Sequence, residues 1–433
     1  MSQEPQASSQ SEAAAGRVTR RRSARAKANG HTGPERPDAA RPRSETRLLE
    51  DLIAHALDAH ATDVHVTAGS RGCRVRERID GLLADVPLAA EALSAVPGVM
   101  ARLKLLAGLD AGPRRVPQEG RAACVLSGRR IELRVSVIPS PRGDSVAVRI
   151  QDPSEDLSLD RLGMTDAQLR PFQSLIDAAA GLVLVTGPGG SGRTTTLYAA
   201  LEHLNSGQRH VLAVEETHGR ELDNVTQIPL ASEAGLTYAA AIRAALRHDP
   251  DVIMIEDIAD PETASAAIRA ALTGHLVLGG MHTKDASSAV TRLMDFGVEP
   301  YLLCSTLAGM VSQRLLRRVC PACREHQQLD ASALSRAGLP AGKGGAEPAG
   351  VWRALGCPAC RQTGYAGRTG VFELLAVDSA VRGLLAKRAS GLQIRQSAMA
   401  RGMTSLAENA WQHVRDGLTS LDEYLRAIPP ELR

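Results

Sequence analysis

The sequence predicts an α/β protein wound around a parallel sheet, with a smaller α+β region ahead of it and helices behind it. Three observations predict this. Apolar runs at 182–185, 211–214, 252–255 and 276–278 are separated by helical stretches. Buried strands alternating with helices make a parallel sheet with crossover connections. A glycine-rich turn, Gly187-Pro188-Gly189-Gly190-Ser191-Gly192-Arg193-Thr194, joins the first run to a helix-like segment from Thr195. A third run, Val252-Ile253-Met254-Ile255, ends in two carboxylates, Glu256 and Asp257.

Composition bounds the rest. The chain has 433 residues, enough for two or three domains. With 2% aromatics, its core has to be Leu, Val, Ala and Ile. A net charge of +3 is too small to indicate nucleic-acid binding by the whole chain. No apolar run reaches membrane-spanning length and no signal-peptide pattern is present, so the chain reads as cytoplasmic.

Residues 1–45 are rich in Ser, Ala, Arg and Pro and include Arg20-Arg21-Arg22. Such a segment buries too little apolar surface to order itself, and it reads as a disordered basic tail. The region 46–155 opens with Leu48, Leu49, Leu52, Ile53, Ala56 and Leu57 at helical spacing. Strand-like runs follow at 63–66, 73–76, 131–135 and 146–150, with a helix expected over 102–109. The linker Asp152-Pro153-Ser154-Glu155-Asp156 leads into the wound region, 156–376, and 377–433 reads as helical.

The glycine-rich turn carries the chemistry. Glycines let successive N–H groups face an anion, and the helix adds its positive end. Thr194 stands where a hydroxyl would hold Mg²⁺, and Thr195 follows it. Glu256 and Asp257 suit a metal contact and a proton acceptor. The run 211–214 ends at Glu215, and the run 276–278 leads to His282. Carboxyl ends of parallel strands share one edge, so Glu215, Glu256, Asp257 and His282 are candidates to meet the phosphates. Cys320-Pro-Ala-Cys323 and Cys357-Pro-Ala-Cys360, within about 317–365, have the spacing of a structural zinc site. The other cysteines, Cys73, Cys124 and Cys304, read as plain thiols.

Several further motifs stand in one order: Ala61-Thr62-Asp63-Val64-His65, Arg78-Ile79-Asp80-Gly81, Arg115-Val116-Pro117-Gln118-Glu119-Gly120-Arg121, Leu246-Arg247-His248-Asp249-Pro250-Asp251, His282-Thr283-Lys284-Asp285-Ala286 and Gln313-Arg314-Leu315. In these the chain resembles the ATPases of type II secretion and type IV pilus assembly. The resemblance implies a RecA-like P-loop motor domain joined to a mobile N-terminal domain. It also implies a cytoplasmic homo-hexamer that takes ATP, Mg²⁺ and Zn²⁺ and works at the inner membrane through a platform protein, without nucleic acid. Arginines that neutralise phosphate are implied, with Arg134, Arg149, Arg243 and Arg247 as candidates by position.

The chain departs from that pattern at the site itself. Arg193 replaces the family's lysine, and Glu256-Asp257-Ile258 stands for Gly-Glu-Ile. Glu215-Glu216-Thr217-His218-Gly219 stands for Glu-Asp-Pro-Val-Glu, and Gly279-Gly280-Met281 for Ser-Thr-Leu. Either the site is rebalanced, with Glu256, Asp257 and Arg193 in adjusted roles, or the subunit is a non-hydrolytic member of a ring.

Overall fold

The computed structural model describes residues 43–433 apart from 71, 113–114, 127, 153–156, 217–219, 231–234 and 330–349. The basic tail before Arg43, most of the linker, the segment Thr217-His218-Gly219 and most of the Gly/Pro/Ala-rich loop 338–350 lie outside the described residues.

The first part builds a six-stranded antiparallel sheet. Its elements are α1 (Arg43–Asp58), β1 (Ala61–Gly69), β2 (Gly72–Ile79), β3 (Leu82–Asp85), α2 (Ala90–Leu106), β4 (Gln118–Leu126), β5 (Arg129–Ser140) and β6 (Gly143–Gln151), in the spatial order β3-β2-β1-β6-β5-β4. The strands alternate, as a half-covered sheet requires. Val64, Val66, Ile131, Val135 and Val148 pack with Leu52 and Ile53 of α1 and Val99 and Leu103 of α2. The helix expected over 102–109 belongs to α2, which starts at Ala90 and ends at Leu106. Pro97 and Gly98 in its middle hide the helical pattern from sequence reading.

The second part holds α3 (Asp166–Ile176), β7 (Gly181–Thr186), α4 (Arg193–Leu204), β8 (Val211–Glu215), β9 (Val225–Pro229), α5 (Tyr238–Ala245), β10 (Val252–Ile255), α6 (Pro261–Leu272), β11 (Leu276–Met281), α7 (Ala286–Asp295), α8 (Pro300–Thr306), β12 (Leu307–Val319), β13 (Arg324–Gln328), β14 (Gly350–Ala354) and β15 (Tyr365–Ala376). Seven strands form one sheet in the order β15-β12-β7-β11-β10-β8-β9. All are parallel to their neighbours except β15, which runs against β12. Leu182 and Leu184 join the core beneath α5, α6 and α7. Val183 and Val185 join the opposite core with α3 and α4. Both faces are covered, which is why these strands read as unbroken apolar runs.

Sequence reading passes over β12 and β15 as strands. Gly309 and the arginines of β12 break its apolar run. The glycine has a local reason: a Cβ there would lie 2.5 Å from Leu175 Cδ1, so α3 could not close on the sheet. The ribbon β13–β14 is inserted between β12 and β15. Four helices end the chain: Ser379–Ala386, Gly391–Met399, Leu406–Arg415 and Leu421–Ala427.

Candidate functional site

The glycine-rich turn leaves β7 at Thr186 and enters α4 at Arg193. Gly187, Gly190 and Gly192 have φ of 154°, 74° and 92°. A Cβ on Gly187 would lie 2.4 Å from Ser191 Oγ and 2.7 Å from Gln313 O, so only glycine fits. Gln313 of β12 fixes the turn from below. Its Nε2 donates to Ser191 O at 2.8 Å, and its Oε1 accepts from Thr196 Oγ1 at 2.9 Å. One amide thus ties the loop to the helix that follows it. Thr194 and Thr195 stand exposed in the first turn of α4.

A cleft of about 1000 Å³ runs between the two sheets. Pro188, Gly189, Gly190 and Ser191 form one wall, and Arg78, Asp80, Gly81 and Arg149 form the other. Seven basic residues line it, Arg78, Arg149, Lys284, Arg314, Arg317, Arg368 and Arg426, against the acids Asp80 and Glu431. Guanidinium forks match phosphate oxygens and stay charged, so this lining suits a polyphosphate. The Ser191 hydroxyl, buried beside the turn without a partner, adds a polar group at the cradle. The residues present therefore fit a nucleotide phosphate chain.

Of the arginines expected at the phosphates, only Arg149 lines the cleft. Arg134 shares its cross-strand rung, which runs Arg78, Asp63, Arg149, Arg134, Arg121 over β2, β1, β6, β5 and β4. Arg134 lies one strand further from the cleft side of that rung and bonds Glu119 at 3.2 Å. Arg243 and Arg247 are placed elsewhere as well. They close α5, where Arg247 Nη1 donates to Arg243 O at 2.9 Å. Arg78 and Arg314 were missed. Arg78 had a signal, since Arg74, Arg76 and Arg78 alternate as the outward side of a strand. Arg314 had less, because its value lies in reaching back: Nη2 donates to Lys284 O at 2.5 Å.

The strand ends bring Arg193, Asp257 and His282 together. Arg193 Nη1 donates to Asp257 Oδ1 at 3.2 Å. Arg193 Nη2 donates to His282 Nε2 at 2.6 Å, which makes that nitrogen the acceptor. His282 Nε2 is 3.8 Å from Asp257 Oδ2. Glu256 turns aside and accepts from Glu216 N–H at 2.8 Å. Burial raises its carboxyl above the usual range, and Glu215, Glu216 and Asp257 add to the rise. Glu215 is not brought to the phosphates. It is buried, with one oxygen taken by Tyr198 Oη and the other by Gln227 Nε2 at 3.0 Å. A strand's last residue points to one face or the other, and the apolar run alone does not say which. Gly280 leaves room for the chain beyond β10, since a Cβ there would lie 2.0 Å from Glu256 O.

The four expected cysteines form a second constellation. The Sγ atoms of Cys320, Cys323, Cys357 and Cys360 all lie within 4.8 Å of one another. Three of the separations are 4.0, 3.8 and 3.7 Å. A tetrahedron with Zn–S bonds of about 2.3 Å has edges of about 3.8 Å, so the donor set fits that ion. Backbone N–H groups of Gly356 and Gly364 donate to Cys323 and Cys360 at 3.3 and 3.2 Å. The ribbon packs on the C-terminal helices: Arg324 lies over Trp352, which faces Gly417. Cys73, Cys124 and Cys304 stand apart from this cluster, each half-buried.

The sequence model of the family described as "Type II/IV secretion system protein" matches residues 39–426. The chain belongs to that family. A type II secretion system protein of Pseudomonas aeruginosa, HxcR, is 43% identical over 88% of this chain and 76% of its own length. The type II secretion system ATPase E of Vibrio cholerae is 40% identical over 88% of this chain and 74% of its own length. Among solved structures, the Legionella pneumophila ATPase DotB superposes with a TM-score of 0.63 at 19% identity, over 90% of this chain and 96% of its own. The pilus retraction motor PilT, solved with bound ADP, gives 0.58 at 24% identity, over 88% of this chain and 96% of its own. These two share the α/β fold described above over 88–90% of this chain. No helix among the described residues is long and apolar enough to cross a membrane.

Proposed function

We propose that this chain binds MgATP at the turn 187–194 and hydrolyses it as one subunit of a six-membered ring driving type II secretion or type IV pilus assembly. The observation that carries this is the basic cleft between the sheets, walled by the glycine-rich turn and by Arg78 and Arg149. Its 40–43% identical relatives include a type II secretion system ATPase, which supports ATP hydrolysis in such a system. Mg²⁺, when bound, would neutralise charge on the β- and γ-phosphates, with Thr194 as its hydroxyl ligand.

The chain's own residues divide the remaining work. Loop N–H groups and Arg193 hold the phosphates, and Arg149 neutralises them from the facing sheet. Asp257 takes the proton of the attacking water as an oxygen–phosphorus bond forms and the bond to the diphosphate breaks. Glu256, once released from the Glu216 N–H, would support the ion, and His282 would contact the terminal phosphate. Glu215 stays with Tyr198 and Gln227 and has no part in the step. The four thiolates hold zinc as a structural ion. On this reading the parts 46–155 and 156–376 are domains that close on ATP and push an inner-membrane platform protein from the cytoplasmic side.

A second reading, a non-hydrolytic ring subunit, has one observation in its favour: Arg193 is engaged with Asp257 and His282. Steady-state phosphate release by the purified protein with Mg²⁺ separates the two. Release well above that of Arg193→Ala supports the motor; equal release by both leaves the scaffold.

A further inference from the structure

We propose that Arg193 is a latch on the proton-accepting carboxylate, opened when a phosphate enters the cradle. This rests on the MgATP reading above and gives one of its residues a second role. The cleft is lined by His282 but by neither Arg193 nor Asp257. Both are turned into the gap between the ends of β10 and β11, with side chains 15% and 25% exposed. There the guanidinium holds Asp257 Oδ1 with one nitrogen and His282 Nε2 with the other, at 3.2 and 2.6 Å.

Three consequences follow from that geometry. Asp257 Oδ1 is engaged by Arg193 Nη1, so that oxygen is not open to a water in the cradle. A histidine whose Nε2 accepts from Arg193 has that nitrogen occupied and cannot donate it to a phosphate. And a phosphate in the turn competes for the same guanidinium, which is the first residue of α4 and within reach of the loop. Capture of Arg193 by phosphate therefore frees Asp257 and His282 in one move. A lysine at this position has one nitrogen in place of a planar fork and would not hold both partners so. The exchange at 193 thus couples exposure of the base to occupancy of the cradle, so that Asp257 is masked when no nucleotide is present.

The test is a double-mutant cycle read by calorimetry with Mg²⁺ and adenylyl imidodiphosphate, on the full chain. Asp257→Asn removes the competing charge, and affinity for the analogue should rise about threefold to tenfold. In the Arg193→Ala background the same change should give no gain, because no latch remains to be broken. Asp257→Glu keeps the charge and should bind as the parent does; if Asp257→Asn unfolds, Asp257→Ala takes its place in the cycle, with the same gain expected beside Arg193 and none in the Arg193→Ala background. A gain of equal size with and without Arg193 would mean simple relief of repulsion and would overturn the latch while leaving the MgATP reading intact. Absence of any gain would overturn it too. Failure of the parent protein to bind the analogue is a different result, and it would remove the MgATP reading and the latch together.

Discussion

The cysteine module and the phosphate cradle are both built from residues the sequence marks, yet only one of them can be assembled from spacing alone. Each C-x-x-C pair is a local hook, and two hooks brought together by the ribbon complete a donor set. The cradle draws instead on the ends of β7, β10 and β11, and on β12 from beneath. Its residues choose partners among themselves: Arg193 with Asp257 and His282, Glu256 with Glu216, Glu215 with Tyr198 and Gln227. Local geometry is legible from a motif; the direction in which a strand-end side chain turns is set by packing that the motif does not contain.

The contrast can be broken most forcefully at the module. Replacing Cys320 and Cys360 together by serine should drop zinc from about one per chain to well below one and loosen 320–360, at a cost of several kcal/mol. Hydrogen exchange should rise there while the affinity for nucleotide changes little. Metal analysis below one zinc per chain in the parent would instead dissolve the comparison.

At the cradle the next largest effect should come from Gln313→Ala. Two buried hydrogen bonds are lost and Ser191 O is left without its donor, which costs about 1–3 kcal/mol. Nucleotide affinity should fall roughly tenfold by titration, since the turn is no longer held to α4. Unchanged affinity would show that the glycines alone shape the turn.

The smallest effect sharpens the contrast. The Glu256 acid stands above its ordinary value in the folded chain, chiefly through burial. A raised folded value means that the ionised group costs stability at neutral pH, and that the cost fades as pH falls through that value. Glu256→Gln should therefore stabilise the metal-free protein at pH 7, with the gain fading as pH falls through the raised value. Thermal melts across that range check the sign.

Much of the fold was legible. The apolar runs at 182–185, 211–214, 252–255 and 276–278 became β7, β8, β10 and β11, because burial on both faces leaves no room for alternation. The alternating runs of the first part became strands of a half-covered sheet for the opposite reason. The short or polar strands β3, β4, β9, β13 and β14 escaped, and so did the long β12 and β15, whose glycine and arginines serve close packing and the cleft. The motifs brought Arg193, Asp257 and His282 to one place. They could not say that Arg134, Arg243 and Arg247 stand off the cleft, because an arginine's reach depends on the register of its strand or the face of its helix.

The hairpin of β12 and β15 joins the two regions in a way that neither motif suggests. Gln313 grips the turn near its middle, and Cys320 opens the module just past its end. The interval is seven residues, or roughly 23 Å of extended chain. Pairing with β15 runs in register from Gln313 to Arg317 and resumes, after an irregularity, at Val319. The ribbon and the glycine-rich turn are thus tied to two points of one strand, and a pull on the first is carried towards the second as along a pushrod.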